Sequence, residues 1–286
     1  MKILVVGGTR FFGIPMIDKL LSEGHDVTIA TRGQAANPFA DRTKQIIMDR
    51  TDPRQVKEAL AGLTYDLIID KVAYSSNDVK ALLENACCKR YIQMSSGSVY
   101  AQEKENTKEE EFDPVTYPLV WQSRNEDYAA GKRLAERAAL EFMDASACVF
   151  VRYPVVLGEN DYTGRLKFYV DHIRDGIPMY VDPMDYGIAF IHEQQAGEFI
   201  AFLADHAFSG AVNGSSAGWI TSRQIIGYVE EKTGRKAVLS EEGEKAPFNG
   251  MPDNESYNTE KAEKLGYRFS DLNDWIYELL DHYIKM

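Results

Sequence analysis

The stretch that most constrains this chain is its start, KILVVGGTRFFG, from Lys2 to Gly13. Ile3 to Val6 is a short, β-branched apolar run bounded by glycine, the pattern of a strand buried in a parallel sheet. Gly7, Gly8 and Thr9 turn the chain. From Phe11 to Leu21 the apolar residues Phe12, Met16, Ile17, Leu20 and Leu21 then recur at helical spacing. Strand, glycine turn and helix form the opening unit of a dinucleotide-binding sheet, whose turn amides and helix N-terminus can hold a diphosphate. Gly7 and Gly13 stand where the outer glycines of a GxxGxxG fingerprint stand, and Arg10 takes the middle position. On its own such a turn also fits a merely tight βα connection.

The pattern then alternates in the way of an α/β fold. Strands are expected over residues 25–30, 45–48, 65–73, 90–94 and 147–156, with helices over 56–63, 77–86 and 126–143 between them. The second strand closes on Thr31, Arg32 and Gly33. NAD-preferring sites carry an acid at that point for the ribose hydroxyls, and here there is none. Arg32, with Arg10 nearby in the turn, suits a 2′-phosphate, so NADP is expected over NAD. After the third strand Asp49 is placed to meet an adenine amino group. Asp52, before Pro53, reads as a helix N-cap. Val72 and Ala73 fall at the C-terminal end of the fourth strand, where ligands sit in open α/β sheets.

The fifth strand runs into Ser95-Ser96-Gly97-Ser98-Val99-Tyr100, hydroxyls that serve chemistry or a turn equally well. Residues 101–114 carry six acids and two lysines with no apolar periodicity, and read as a solvated surface loop. Residues 117–121, YPLVW, add apolar bulk that a lid would have. In the helix that follows, Tyr128 and Lys132 are four apart and share a face. A tyrosine hydroxyl is a poor acid or base at its free pKa near 10. A lysine one turn away stabilises the phenolate, and Ser96 can hold the substrate oxygen while Tyr128 moves its proton.

Beyond Gly158 the pattern loosens. Helices are expected over 165–174, 195–207, 258–265 and 271–284, the last with Trp275, Leu279 and Ile284 inward, and Thr221 caps another that runs through Lys232. Arg165, Lys167 and Arg174 are either phosphate contacts or solvated helix residues. His192 reads as a hydrogen-bonding residue at a junction between lobes.

The 286 residues carry a net charge of −12, which argues against broad electrostatic binding of nucleic acid. Three cysteines, Cys87, Cys88 and Cys148, with no CxxC pair, fit reduced thiols rather than a disulfide or a metal site, and no metal is expected. The chain enters a strand at once, so no secretory leader is expected. No apolar run approaches the ~20 residues of a membrane span. A cytoplasmic location is the expectation.

With GGTRFFG, SSGSVY and YAAGK in order along one chain, the sequence resembles the extended short-chain dehydrogenase/reductase superfamily, and within it the NAD-dependent epimerase/dehydratase family. The resemblance implies a Rossmann-like doubly wound parallel sheet with a smaller C-terminal substrate lobe. The first would span residues 1–157, with about 186–212 returning to it, and the second 158–286. It implies an NAD(P)-dependent epimerase, dehydratase or reductase acting on a carbonyl or alcohol of a small molecule, with a nucleotide sugar as the expected substrate. The family's catalytic serine, tyrosine and lysine map to Ser96, Tyr128 and Lys132. Its cofactor cradle maps to Gly7, Thr9, Arg10, Phe11, Phe12 and Gly13, to Arg32 and Asp49, to Val72 and Ala73, and to Tyr153 and Val155, with Tyr128 and Lys132 touching the cofactor as well. Relatives pair through the helix bearing YxxxK, which makes a homodimer the expectation. The GGTRF turn also resembles an atypical branch that includes chloroplast stem-loop RNA-binding proteins, so an RNA-binding or nucleotide-sensing role on the same fold is the alternative.

Overall fold

A computed structural model describes residues 1–102, 104–250 and 253–286. Six strands, β1 (Lys2–Val6), β2 (Asp26–Thr31), β3 (Lys44–Ile47), β4 (Leu63–Asp70), β5 (Ala86–Met94) and β6 (Cys148–Arg152), form one parallel sheet with a seventh, Gly210–Asn213. Their order across the sheet is Gly210–Asn213, β6, β5, β4, β1, β2, β3. The chain builds outward from β1 to β3, then crosses back to start again at β4. Ligands of open α/β sheets lie in the crevice this reversal leaves beyond the strand C-termini. In β1 the pleat sends Ile3 and Val5 to one face and Leu4 and Val6 to the other. On the first face they meet α1 (Gly13–Ser22) and α6 (Glu193–Asp205). On the second they meet α2 (Pro53–Leu60), α3 (Ser76–Leu83) and α4 (Tyr128–Ala139). A strand buried on both sides has no polar face, which is why its sequence is a continuous apolar run.

A third apolar cluster lies apart from the sheet, among α5 (Arg165–Asp175), α7 (Ser222–Thr233) and α9 (Ile276–Lys285). The short α8 (Glu260–Lys264) packs through Ala262 on the α1/α6 side of the sheet. No helix among the described residues is long and apolar enough to cross a membrane.

Several expected boundaries move, each for a local reason. The fourth strand stops at Asp70 rather than Ala73. The Asp70 carboxylate accepts from Val72 N at 3.1 Å and turns the chain there. Its burial is supported by Arg50 Nη1 at 2.5 Å and the Tyr91 hydroxyl at 3.1 Å. The sixth strand divides at Pro154, which has no N–H to give a ladder. Cys148–Arg152 stays in the sheet, and Val155–Leu157 pairs with Phe190–His192 instead. Asp127 caps α4 by accepting from Ala130 N at 2.9 Å, so that helix begins at Tyr128. The final helix begins at Ile276 behind a 3₁₀ turn, and Tyr283 rather than Ile284 takes its deeply buried place.

The acidic stretch of residues 101–114 is not a wholly solvated loop. Glu109 is buried, and its carboxylate accepts from Asn213 N at 2.9 Å. The carbonyls of Glu109 and Phe112 accept from the buried Arg152 guanidinium at 2.8 and 3.0 Å. Arg152 is itself paired with Glu136 of α4 at 2.7 Å, so this loop, β6 and α4 are tied together by one buried charge network. The YPLVW stretch lies on the outer side of α3, where the Ser76 hydroxyl donates to the Val120 carbonyl at 2.7 Å.

Candidate active site

The turn after β1 is built for close approach. A Cβ on Gly13 would stand 2.4 Å from the Gly8 carbonyl, so only glycine lets α1 begin where it does. Helix α1 starts behind Phe12 with no side-chain cap and no acid in its first turn; its Gly13 and Ile14 amides donate back to the Arg10 and Phe11 carbonyls at 3.1 and 2.9 Å, and Pro15 has no N–H to offer. Beside the glycine turn is a cleft of about 380 Å³. Gly7, Gly8, Thr9 and Arg10 line it on one side, Thr31–Ala35 and Asp49–Thr51 on another, and Lys71, Val72, Tyr74, Arg124 and Tyr162 on the rest.

The cleft is strongly cationic in an acidic protein. Arg10, Arg32, Arg50, Lys71 and Arg124 border it, against the single carboxylate of Asp49. Arg50 and Arg124 are committed to protein carboxylates, Arg50 to Asp70 and Arg124 to Asp78 at 2.9 Å. Asp49 accepts from Thr51 N at 2.9 Å and from its hydroxyl at 2.6 Å. Those bonds hold its carboxyl below the usual range, with Arg32 adding to the effect. Arg10 lines the same cleft as Arg32. Its guanidinium stacks on the Tyr162 ring at 3.9 Å from the centroid and lies beside Lys71.

At the other end of Val72–Tyr74 stand the three residues of the expected catalytic set. A Cβ on Gly131 would be 2.5 Å from the Tyr74 carbonyl, so glycine is what lets α4 dock against this segment. That contact carries Lys132 to the strand ends, where its buried ammonium donates to the Ala73 carbonyl at 2.8 Å and the Met94 carbonyl at 2.9 Å. Burial lowers its pKa to about 7. Lys132 Nζ lies 4.6 Å from the Tyr74 ring centre and 5.8 Å from that of Tyr128. Tyr128 is 46% exposed, and its ring centre lies 6.1 Å from that of Tyr74, which lines the cleft. Partial removal from water raises its hydroxyl pKa, while the Ser96 hydroxyl and the Arg165 charge pull it back down. Ser96 caps the 3₁₀ turn Gly97–Val99, accepting from Ser98 N at 3.2 Å. The turn role and the chemical role of Ser96 are therefore compatible.

Of the expected cofactor residues, Gly7, Thr9, Arg10, Arg32, Asp49 and Val72 line the cleft. Gly13 acts from behind the turn, and Ala73 acts through its carbonyl on Lys132. Phe11 and Phe12 are buried supports of the turn, Phe11 with a positive φ of 56°. The Tyr153 side chain is turned inward: it packs edge-on against Phe12 and its hydroxyl donates to the Ala196 carbonyl at 2.7 Å. Val155 lies in the small Val155–Leu157 strand, away from the cleft lining. His192 caps α6, its Nδ1 accepting from Gln194 N at 3.2 Å. Lys167 and Arg174 are held by Asp171 and Asp175, whereas Arg165 pairs with no carboxylate among the described residues. Sequence reasoning missed Lys71, Tyr74, Arg124 and Tyr162. Lys71 carried a signal, a lysine directly after the apolar run of β4.

The model of the NAD dependent epimerase/dehydratase family matches residues 3–86 and 76–207 of this chain. The fold is similar to a crystal structure of a putative epimerase from Burkholderia cenocepacia, with a TM-score of 0.75 at 18% identity, covering 100% of this chain and 98% of the other. It is similar as well to the UDP-glucose 4-epimerase of Thermus thermophilus in complex with NAD, with a TM-score of 0.72 at 17% identity, covering 99% of each chain. A chloroplast stem-loop binding protein of 41 kDa from Arabidopsis thaliana is 34% identical over 113 residues, a match covering 35% of this chain and 30% of that protein.

Proposed function

The chain belongs to the NAD dependent epimerase/dehydratase family, and on that premise we propose that it is an NADP-preferring enzyme acting on a carbonyl or alcohol of a nucleotide-linked sugar. The observation that carries this reading is the approach of Tyr128 and Lys132 to Tyr74, which lines the cationic cleft of the glycine turn, with the Ser96 hydroxyl acting on that of Tyr128. The cleft fits a dinucleotide in charge and form: a glycine turn, the cations Arg10, Arg32 and Lys71 that form no ion pair with any described residue, and Asp49 beside Thr51. NADP is favoured over NAD because Arg32 follows β2 where an acid would select NAD. A bound nicotinamide would supply hydride transfer.

The chain's own residues supply the rest. Tyr128 gives or takes the proton of the substrate oxygen, and Ser96 holds that oxygen. Lys132, fixed by the Ala73 and Met94 carbonyls, stands below the tyrosine ring and supports the phenolate by its charge. Arg165 is the cation of the C-terminal part best placed to meet a substrate phosphate, since its charge reaches Tyr128 and no carboxylate of the described residues pairs with it. The substrate lobe is read as residues 158–286 apart from about 186–212, which return to the sheet. The unpaired cysteines fit a reducing, cytoplasmic setting. The test is a screen of nucleotide sugars with NADP(H) and NAD(H), using Tyr128→Phe as control. Turnover by the wild type that the variant loses supports the reading. Full turnover by the variant on an identified substrate overturns it.

The match to the stem-loop binding protein favours a second reading, RNA binding on the same fold. The net charge of −12 weighs against it, and it calls for binding that weakens steeply with salt.

A further inference from the structure

Lys71 is the least explained charge in the molecule. It follows β4 directly and is 9% exposed, yet its ammonium makes no hydrogen bond or ion pair with any described residue. Its backbone is fixed at the end of β1 by donation from Lys71 N to the Val6 carbonyl at 3.1 Å. Its Cβ stands 3.6 Å from where a Cβ on Gly7 would be, and Nζ lies 3.8 Å from the centre of the Phe12 ring. The side chain therefore runs along the glycine turn and ends within the cleft that turn lines. The other deeply buried lysine, Lys132, is satisfied by two carbonyls. Lys71 has a π face and a like-charged neighbour, Arg10. Burial and Arg10 together push its pKa down to about 8, the mark of a charge short of a counter-ion.

An anion is the group that relieves this arrangement, and its place is narrowly defined. It must lie between Lys71 and Arg10, beside the Gly7–Thr9 turn that lines the same cleft. We propose that Lys71 is a ligand of the diphosphate of the bound dinucleotide, acting with Arg10 where the turn departs from GxxGxxG. The proposal rests on the cofactor reading above and adds to it a residue outside the glycine turn. Arg10 replaces the middle glycine of the fingerprint, and Lys71 supplies a second cation from the adjacent strand. Between them the backbone approach given up at position 10 is replaced by two side-chain charges.

The test is calorimetric titration of wild type, Lys71→Met and Lys71→Arg with NADPH and NADH, and with ADP-ribose and its 2′-phosphate, which carry the diphosphate without nicotinamide. Thermal melting without ligand accompanies it. Lys71→Met is expected to weaken the preferred dinucleotide and its ADP-ribose counterpart by similar factors, roughly ten- to a hundred-fold, as loss of a charge-assisted contact requires. Lys71→Arg should recover most of that affinity, and Lys71→Met should melt no lower than wild type. Unchanged dinucleotide affinity in Lys71→Met overturns the proposal while leaving the cofactor reading in place. An effect on the dinucleotide but not on the ADP-ribose form moves Lys71 to the nicotinamide side and overturns the diphosphate assignment. A lower melting point in Lys71→Met shows that the ammonium has a structural role and overturns the argument from its isolation. If wild type binds neither dinucleotide, the cofactor reading falls and takes this proposal with it.

Discussion

Two groups of cations in this molecule share one acidic background and are treated in opposite ways. In the C-terminal part Lys167 pairs with Asp171 at 2.6 Å, Arg174 with Asp171 and Asp175, Arg223 with Asp185, and Lys236 with Glu230. In the cleft beyond the sheet, the side chains of Arg10, Arg32 and Lys71 form no ion pair with any described residue. With 44 acids against 32 lysines and arginines, carboxylates are in excess, so unpaired cations gathered at one place mark a site kept for an outside anion. Arg165 lies outside these pairs among the described residues. It donates to Thr163 Oγ1 and the Val156 carbonyl, and its charge acts on Tyr128.

The contrast can be broken or sharpened by substitution. The largest effect is expected at the proton-transferring residue. Tyr128→Phe should lower turnover about 10²- to 10⁴-fold while dinucleotide affinity measured by titration stays within a factor of two or so. Arg32→Ala should reduce the preference for NADPH over NADH by roughly ten-fold or more in the same titration, since it removes a charge-assisted contact to a 2′-phosphate. A preference that survives would place the discriminating charge elsewhere in the cleft.

Gly131→Ala sets a methyl 2.5 Å from the Tyr74 carbonyl and must push α4 away from that segment. A destabilisation of about 1–3 kcal/mol in denaturant unfolding is expected, with lowered turnover as Lys132 moves. Lys132 also gives a pH signature. Its folded pKa is about 7. An unfolded lysine keeps its proton to about 10.4. Between those values the unfolded chain binds more protons, so this lysine's contribution to stability rises with pH across the window. Lys132→Met removes the dependence. Its melting temperature relative to wild type should therefore fall as pH is raised from about 7 to about 10. A constant difference would contradict the burial of that ammonium. The smallest effects belong to the paired cations. Lys167→Ala and Arg174→Ala should each cost less than about 1 kcal/mol and leave substrate KM unchanged. A large rise in KM would show that the paired set also serves a ligand.

What could be read in advance follows from where periodicity carries information. The sheet strands other than Gly210–Asn213 are apolar runs between glycine or polar turns, and they were legible together with the α1, α4 and α6 helices. Gly210–Asn213 was not, because GAVN has neither length nor β-branched content and becomes a strand through pairing with β6. The Tyr128–Lys132 spacing showed that the two share a helix face. It could not show that Lys132 turns inward to the Ala73 and Met94 carbonyls, since those acceptors lie on distant segments. The stacking of Arg10 was hidden for a like reason: Tyr162, far along the chain, takes that guanidinium on its ring, while Arg10 and Arg32 line one cleft. Glu109 looked solvated within its acidic run because its partner, Asn213 N, is a hundred residues away.

The most direct test of the central claim is equilibrium titration of the purified protein with NADP(H) and NAD(H), beside Arg32→Ala. The account predicts saturable binding of both, tighter for NADP(H), with the preference lost in the variant. Failure of either dinucleotide to bind would contradict it: the unpaired cations of the cleft would then serve another anion, and the RNA-binding reading would come forward.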